Sequence, residues 1–339
     1  MVEFFDDFVY YSFMIDNNKV GITTTIPVEI IYAAGLKPVD LNNIFITDKN
    51  PEKFIEKAEI DGFPGNCCSW IKGIYSAVIF ENIKKVIAPV WGDCSNTHAL
   101  SEVLKENDVE VIEFAYPYNR NINSLKNEFH KLYNSFDVSE SEVILVWDKL
   151  KSVRKKLEKL DNLTVEGKIT PLENHIWLVN SSDFNGNIEE FENNLDEFLA
   201  SVEKRKTLNY KFRLGCIGVP PIFSDFHDYF QSLNTGMVYN EIPLEFSMCK
   251  YTGESFYNQY LEYSYPYGMS YRINKIKQEV ESRKLDGLIH YTQCFCYRQI
   301  EDIILKKHID IPVLTIEGDR PSNIDARTKL RIENFMELL

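Results

Sequence analysis

A chain of 339 residues, 44% hydrophobic and 13% aromatic, has the make-up of an ordinary globular protein large enough for two domains. Its net charge of −14, with no clustered run of lysine and arginine, opposes sequence-independent binding to phosphate backbones, so no nucleic-acid partner is expected. No stretch reaches the roughly 18–20 apolar residues of a membrane helix, and the opening "MVEFFDDFVYYSFMIDNNKVG" carries acids where a signal peptide carries positive charge; a cytoplasmic location without membrane association is expected.

In chain order, short β-branched runs alternate with amphipathic segments of helix length. "VGITTTI" precedes "PVEIIYAAG", "NIFIT" precedes "PEKFIEKAEI", "KKVIAPVW" precedes "THALSEVLKEN", and "VEVIEFA" closes the series. That alternation predicts a parallel sheet covered by helices. A mostly charged region follows, in which "ESEVILVWDKLKSVRKKLEKL" and "NIEEFENNLDEFLASVEKR" space apolar residues at three and four, with Gly167 and "NSSDFNGN" as breaks. The first pattern then returns. "FRLGCIGV" precedes "DFHDYFQSLN", "GMVYNE" follows, "DGLIHYT" precedes "RQIEDIILKK", and "IPVLTIE" precedes "DARTKLRIENFMELL". The expected organisation is an α/β domain over residues 1–121, a helical connector over 122–205, and a second α/β domain over 206–339.

Seven cysteines, an odd number, in a reducing compartment point to free thiols or metal ligands over a disulfide framework. Cys67 and Cys68 sit in "FPGNCCSWIKG", a Gly/Pro turn before a helix. Cys94 follows the "VIAPV" strand and precedes a helix that Asn96 or Thr97 is placed to cap. Cys296 holds the equivalent strand-to-helix position in the second half. Open α/β sheets bind ligands beyond the carboxyl ends of their strands, where these thiols fall. Three thiolates from the regions of Cys68, Cys94 and Cys296 suit either a zinc ion or an iron–sulfur cluster with one open position, although no pair has the C-x-x-C spacing usual for zinc. Neighbouring helix starts are expected to lower the pKa of all three. The plain alternative, small buried hydrophobes, best suits Cys216 inside an apolar strand and Cys249 in an unassigned segment.

The motifs carry a further signal. "TTTIPVEIIYAAGLKPVDL" opens the first domain; "CSWIK" stands where a Cys-Pro-aromatic-x-Arg turn would, with Ser69 and Lys72 as departures; "GDCSN" stands for a Thr-Cys-Asp strand end. "GVPPIFSDFHDYFQSLNTGMVYNE", "DGLIHYTQCFCYRQIEDIILKKHIDIPVLTIEGDR" and "RIENF" complete the series. Over nearly its whole length the chain resembles a subunit of the 2-hydroxyacyl-CoA dehydratase and benzoyl-CoA reductase family. The resemblance implies two flavodoxin-like, Rossmann-like parallel-sheet domains with a [4Fe-4S] cluster in the cleft between them. Its ligands would be Cys68, Cys94 and Cys296, with the fourth iron left for substrate or water. It also implies a homodimer or a heterodimer with a related subunit, and an ATP-hydrolysing iron–sulfur activator that delivers one low-potential electron. The chain has no G-x-x-x-x-G-K-[ST] loop, so ATP chemistry belongs to that partner. The implied activity is a 2-hydroxyacyl-CoA dehydratase-like lyase, or an ATP-dependent iron–sulfur reductase acting on a related thioester.

Cys67 beside Cys68, and Cys294 two before Cys296, open a second possibility: a double-cubane [8Fe-9S] cluster that reduces small molecules. It would need about six thiolates, so Cys216 or another ligand must join. Otherwise Cys67 and Cys294 point into packing. Glu29 at a helix start is a catalytic candidate or a dipole-favoured cap, and His98 a donor to cluster or substrate, or a solvent-facing residue. Glu317 and Asp319 are substrate contacts or ion-pair partners of Arg320 or Arg331; His290 belongs to a strand core or its rim. The tyrosine-rich "SFYNQYLEYSYPYGMSYRI" either lines a cavity or packs between elements. Two readings from other classes stand beside the enzyme: a cluster-free or zinc-bearing binding module, and a non-catalytic electron-relay subunit.

Overall fold

The computed structural model describes residues 18–251 and 255–339; residues 1–17, on which the reading of the amino terminus rests, lie outside the described residues. The first half runs β1 (Lys19–Ile22), α1 (Val28–Ala33), β2 (Lys37–Asp40), α2 (Leu41–Thr47), α3 (Glu52–Ile60), α4 (Ser69–Phe80), β3 (Lys85–Trp91), α5 (Asn96–Glu106) and β4 (Glu110–Ala115). Its four strands pair in the order β2-β1-β3-β4, all parallel. Four helices follow: α6 (Ile122–Phe136), α7 (Glu140–Val165), α8 (Pro171–Asn180) and α9 (Ile188–Val202). The local sequence starts them firmly. Ser139 with Glu142, and Thr170 with Glu173, form reciprocal capping boxes at α7 and α8, and Pro171 opens α8 where no backbone donor is needed.

The second half runs β5 (Phe212–Gly218), α10 (Phe226–Ser232), β6 (Thr235–Asn240), α11 (Glu241–Ser247), α12 (Phe256–Glu262), α13 (Met269–Arg283), β7 (Gly287–Gln293), α14 (Asp302–His308), β8 (Val313–Gly318) and α15 (Ala326–Met336). Its parallel order, β6-β5-β7-β8, repeats that of the first sheet. Every residue of β6 and β7 is buried, as expected of strands covered on both faces. The fold is therefore α/β: two parallel-sheet domains of flavodoxin-like type joined by helices.

Two sequence expectations change. "NIFIT" is helical and forms most of α2, while the strand of that region is the preceding Lys37–Asp40, in register with β1. The Asp40 carboxylate accepts the Asn42 N–H and starts the helix, which buries Phe45 edge-on against Trp70, ring centroids 5.5 Å apart. Capping and packing override the β-branched run. The tyrosine-rich segment forms α12 and the start of α13, with Tyr260, Tyr263, Tyr265 and Tyr267 buried, so it serves inter-element packing.

One apolar cluster joins the first sheet through the connector to the second half, including Ile22, Phe129, Leu157, Leu195, Tyr260 and Leu288. Buried ion pairs reinforce it. Arg154 of α7 donates to Glu29 of α1 at 2.7 Å, and Arg283 of α13 donates to Asp161 of α7 at 2.6 Å. A second cluster, including Phe45, Leu104, Phe226 and Ile289, also takes residues from both halves, and Cys67, Cys94 and Cys296 pack against it half-buried.

Candidate functional site

Each sheet changes winding direction between its first and third strands, β1 and β3 in one and β5 and β7 in the other, where α/β proteins hold ligands. Cys94 lies just past β3. Gly92 makes that turn at a φ of 89°, and a side chain there would come within 2.6 Å of the Tyr116 Cβ. The Thr97 N–H then bonds the Cys94 carbonyl at 3.1 Å and begins α5. Neither Asn96 nor Thr97 caps that helix; Ser95 holds the position without a side-chain bond.

Cys68 takes the cap position of α4, after a turn closed by the Cys67 N–H on the Pro64 carbonyl at 3.1 Å. The matching helix of the second half, α13, is capped by Gly268. β7 ends at Gln293, and Cys294 still donates its N–H to the Gly318 carbonyl at 2.8 Å. Phe295 follows in the left-handed region, φ 64°, and is 55% exposed. Cys296 then caps a 3₁₀ turn, Tyr297–Glu301, that runs into α14.

Cys68, Cys94 and Cys296 come within electrostatic reach of one another: Cys68 responds to Cys296, and Cys94 to both. The backbone N–H dipoles of the turn after each sulfur also act on it, those of Trp70 and Ile71 on Cys68, of Asn96 on Cys94 and of Arg298 on Cys296, although neither Cys68 nor Cys296 makes a side-chain cap hydrogen bond. These dipoles favour the thiolate, but burial outweighs them. Cys68 is pushed up to about 11, Cys94 to about 12, and Cys296 upward as well, which corrects the expectation that helix starts lower all three. Among the described residues, no three His, Cys, Asp or Glu side chains converge closely enough to hold a single metal ion.

The two extra thiols differ. Cys67 is half-buried and feels Lys72, whose buried ammonium bonds Glu59 at 2.7 Å and the Gly65 carbonyl at 3.0 Å. Cys294 does not point into packing. It lines a cavity of about 330 Å³ with Phe223, Glu317, Asp319, Arg320 and Asp325, and lies within electrostatic reach of Glu317 and Cys68. Burial and Glu317 push its thiol up to about 12. The expected pairing of Glu317 and Asp319 with Arg320 or Arg331 is not what forms. Arg320 reaches across to Glu52 and Glu59 on α3, Arg331 donates to the Thr315 carbonyl at 2.7 Å, and Glu317 accepts from Gln299.

Cys216 is buried within β5 and Cys249 in the 3₁₀ turn Cys249–Tyr251, where it neighbours Asp161. Glu29 is wholly buried, held by Arg154 and by the Tyr260 hydroxyl at 2.6 Å. His98 is exposed on α5 near Glu113. His290 is buried in β7 with Nδ1 3.2 Å from Asp302.

Sequence reading passed over the groups between Cys94 and Cys296. The Tyr297 hydroxyl donates to the Asp93 carbonyl at 2.9 Å, joining the two halves at the thiols. Burial pushes the Asp93 carboxyl up to about 6, against the pull of Arg298. The available signal was "CYRQIE", an arginine two residues past a candidate ligand in a segment facing the cleft.

The chain matches, over residues 23–339, the family model described as 2-hydroxyglutaryl-CoA dehydratase, D-component. It belongs to that family. The match takes in every strand but β1 and all seven cysteines, and family membership makes the chain a dehydratase-like subunit of a two-component system. D-component subunits are generally iron–sulfur proteins that work with an activator in a multi-subunit assembly. No curated protein matches the chain. Among the described residues, no helix is long and apolar enough to cross a membrane.

Proposed function

We propose that this D-component subunit holds one [4Fe-4S] cluster on Cys68, Cys94 and Cys296 and takes electrons singly from an ATP-hydrolysing activator, to act on a 2-hydroxyacyl-CoA or related thioester. The observation that carries the reading is that three thiols drawn from both halves stand at the starts of helical turns and feel one another, with the Cys94 and Cys296 loops joined by the Tyr297 hydroxyl on the Asp93 carbonyl. When bound, such a cluster supplies a one-electron reductant and an open iron acting as a Lewis acid.

The protein's own part is to hold the thiols. The apolar cluster packs behind Cys68, Cys94 and Cys296, and the backbone N–H dipoles beside them favour their thiolates. The ligands must give up their protons on binding, so assembly releases protons.

The cavity at Cys294 favours a second reading, a reductase of small molecules. Glu317, Asp319 and Asp325 line it, and the charge of Arg320 is engaged by Glu52 and Glu59. That lining disfavours the polyanionic part of coenzyme A and suits a small or uncharged group.

The deciding measurement is iron and acid-labile sulfide per chain on protein prepared without oxygen. Roughly four irons, lost on Cys68→Ala, Cys94→Ala or Cys296→Ala and kept on Cys249→Ala, is the expected result. Roughly eight irons would replace the single cube by the double cubane. A chain that takes up no iron after anaerobic reconstitution would overturn the redox reading.

A further inference from the structure

Arg298 is 3% exposed, an expensive place for a guanidinium. Its Nη2 donates to the Tyr265 carbonyl at 3.0 Å, and its Nη1 to the two Glu301 oxygens at 3.1 and 3.3 Å. The guanidinium lies 4.0 Å from the Tyr265 ring centroid and 5.3 Å from that of Tyr297. Two features tie it to the thiols: Arg298 stands two residues past Cys296, in the turn that Cys296 begins, and the Tyr297 hydroxyl donates to the carbonyl of Asp93, the residue before Cys94. The positive charge is thus lodged in the wall between the Cys94 and Cys296 loops.

We propose that Arg298 sets the reduction potential of the cluster as a fixed buried charge, without ligating it or exchanging protons with it. The inference rests on the cluster assignment above. Reduction brings one electron from an external low-potential donor and leaves every proton and ligand in place, so the site gains one negative charge. A cation held nearby in a medium of low dielectric favours that state, and bulk salt screens it little. The surroundings set the size of the effect. Glu301 opposes Arg298 and is shared with Arg272, whose other face is held by Glu241. Arg298 is the cation of this group whose field reaches both Cys296 and Asp93.

The rival explanation is a strut that fastens the Tyr265 carbonyl to the 3₁₀ turn. The two differ in what they require. A strut depends on the forked hydrogen bonds, which lysine cannot reproduce; a field effect depends on the charge, which lysine keeps. The test uses full-length wild type, Arg298→Lys, Arg298→Met and Glu301→Gln, prepared anaerobically, with iron and sulfide counted before an EPR-monitored titration with dithionite.

With iron content unchanged, the midpoint should move to more negative potential in Arg298→Met, stay near wild type in Arg298→Lys, and move to more positive potential in Glu301→Gln. Equal shifts in the lysine and methionine variants, or no shift in the methionine variant, would overturn the proposal in favour of the strut. Should Arg298→Met fail to fold, an unchanged midpoint in Glu301→Gln overturns it alone. A wild type without iron fails differently, because it removes the cluster assignment itself.

Discussion

Glu29 shows how a residue with catalytic looks is claimed by the interior. It stands in the first turn of α1, yet its carboxylate meets Arg154 and Tyr260 and is wholly buried. Removing one partner strands the other charge, so Glu29→Gln or Arg154→Met should each cost about 3–5 kcal/mol, read from urea unfolding. The double variant should cost clearly less than the sum of the two. The histidines of α8 and α10 offer a test by pH. The His175 and His227 rings stand 4.9 Å apart, and neither His227 nitrogen has a hydrogen-bond partner. Burial lowers His175 to about 4, and burial together with the neighbouring His175 holds His227 well below the ordinary histidine value. The folded protein keeps both neutral while the unfolded chain takes up protons below roughly pH 6.5. Stability from this pair is therefore complete above that pH and is lost progressively as pH falls toward 4. His227→Phe should flatten that part of the thermal-melting profile relative to wild type; parallel profiles would contradict the assignment.

At the scale of elements, α2 and α4 are fitted through one glycine. A methyl group on Gly73 would lie 2.3 Å from the Phe45 ring, so Gly73→Ala must push α2 away. We expect a loss of about 1–3 kcal/mol, partly recovered when Phe45→Leu makes room, as followed by chemical denaturation. The same contact explains why "NIFIT" misled. Its residues favour strand in isolation, and what makes them helical is the Asp40 cap together with an aromatic pocket built by the two helices that follow, α3 and α4, which a reading of the run by itself does not include. The other strands were legible because covered parallel strands tend to be written as apolar runs, as in the "VIAPVW" of β3. At the site, the strand-to-helix positions of Cys94 and Cys296 could be read from order alone. The raised thiols could not, since burial depends on what both halves place around the sulfur. Nor could the partners of Arg320, which lie on a helix some 260 residues earlier.

For the whole molecule, Arg320 is the tie that can be tested most simply. It runs from the end of β8 to Glu52 and Glu59 on α3, and Glu59 also serves the buried Lys72. Arg320 and its two partners are partly exposed, so Arg320→Met should cost no more than about 1 kcal/mol and lose even that in high salt. Glu59→Gln should cost more, because it leaves the Lys72 ammonium buried without a counter-charge. Hydrogen exchange should quicken in α3 for both variants; identical behaviour of the two would show that Lys72 does not depend on Glu59. The repeated strand order has a last consequence, one of symmetry. Cys94 and Cys296 each follow the third strand of their sheet, so they are counterparts. Cys68 caps the helix that leads into the third strand of the first sheet, and its counterpart in the second is Gly268. A perfectly doubled scaffold would offer four thiols in two matched pairs; here the symmetry is broken at one cap, where glycine stands in place of the fourth.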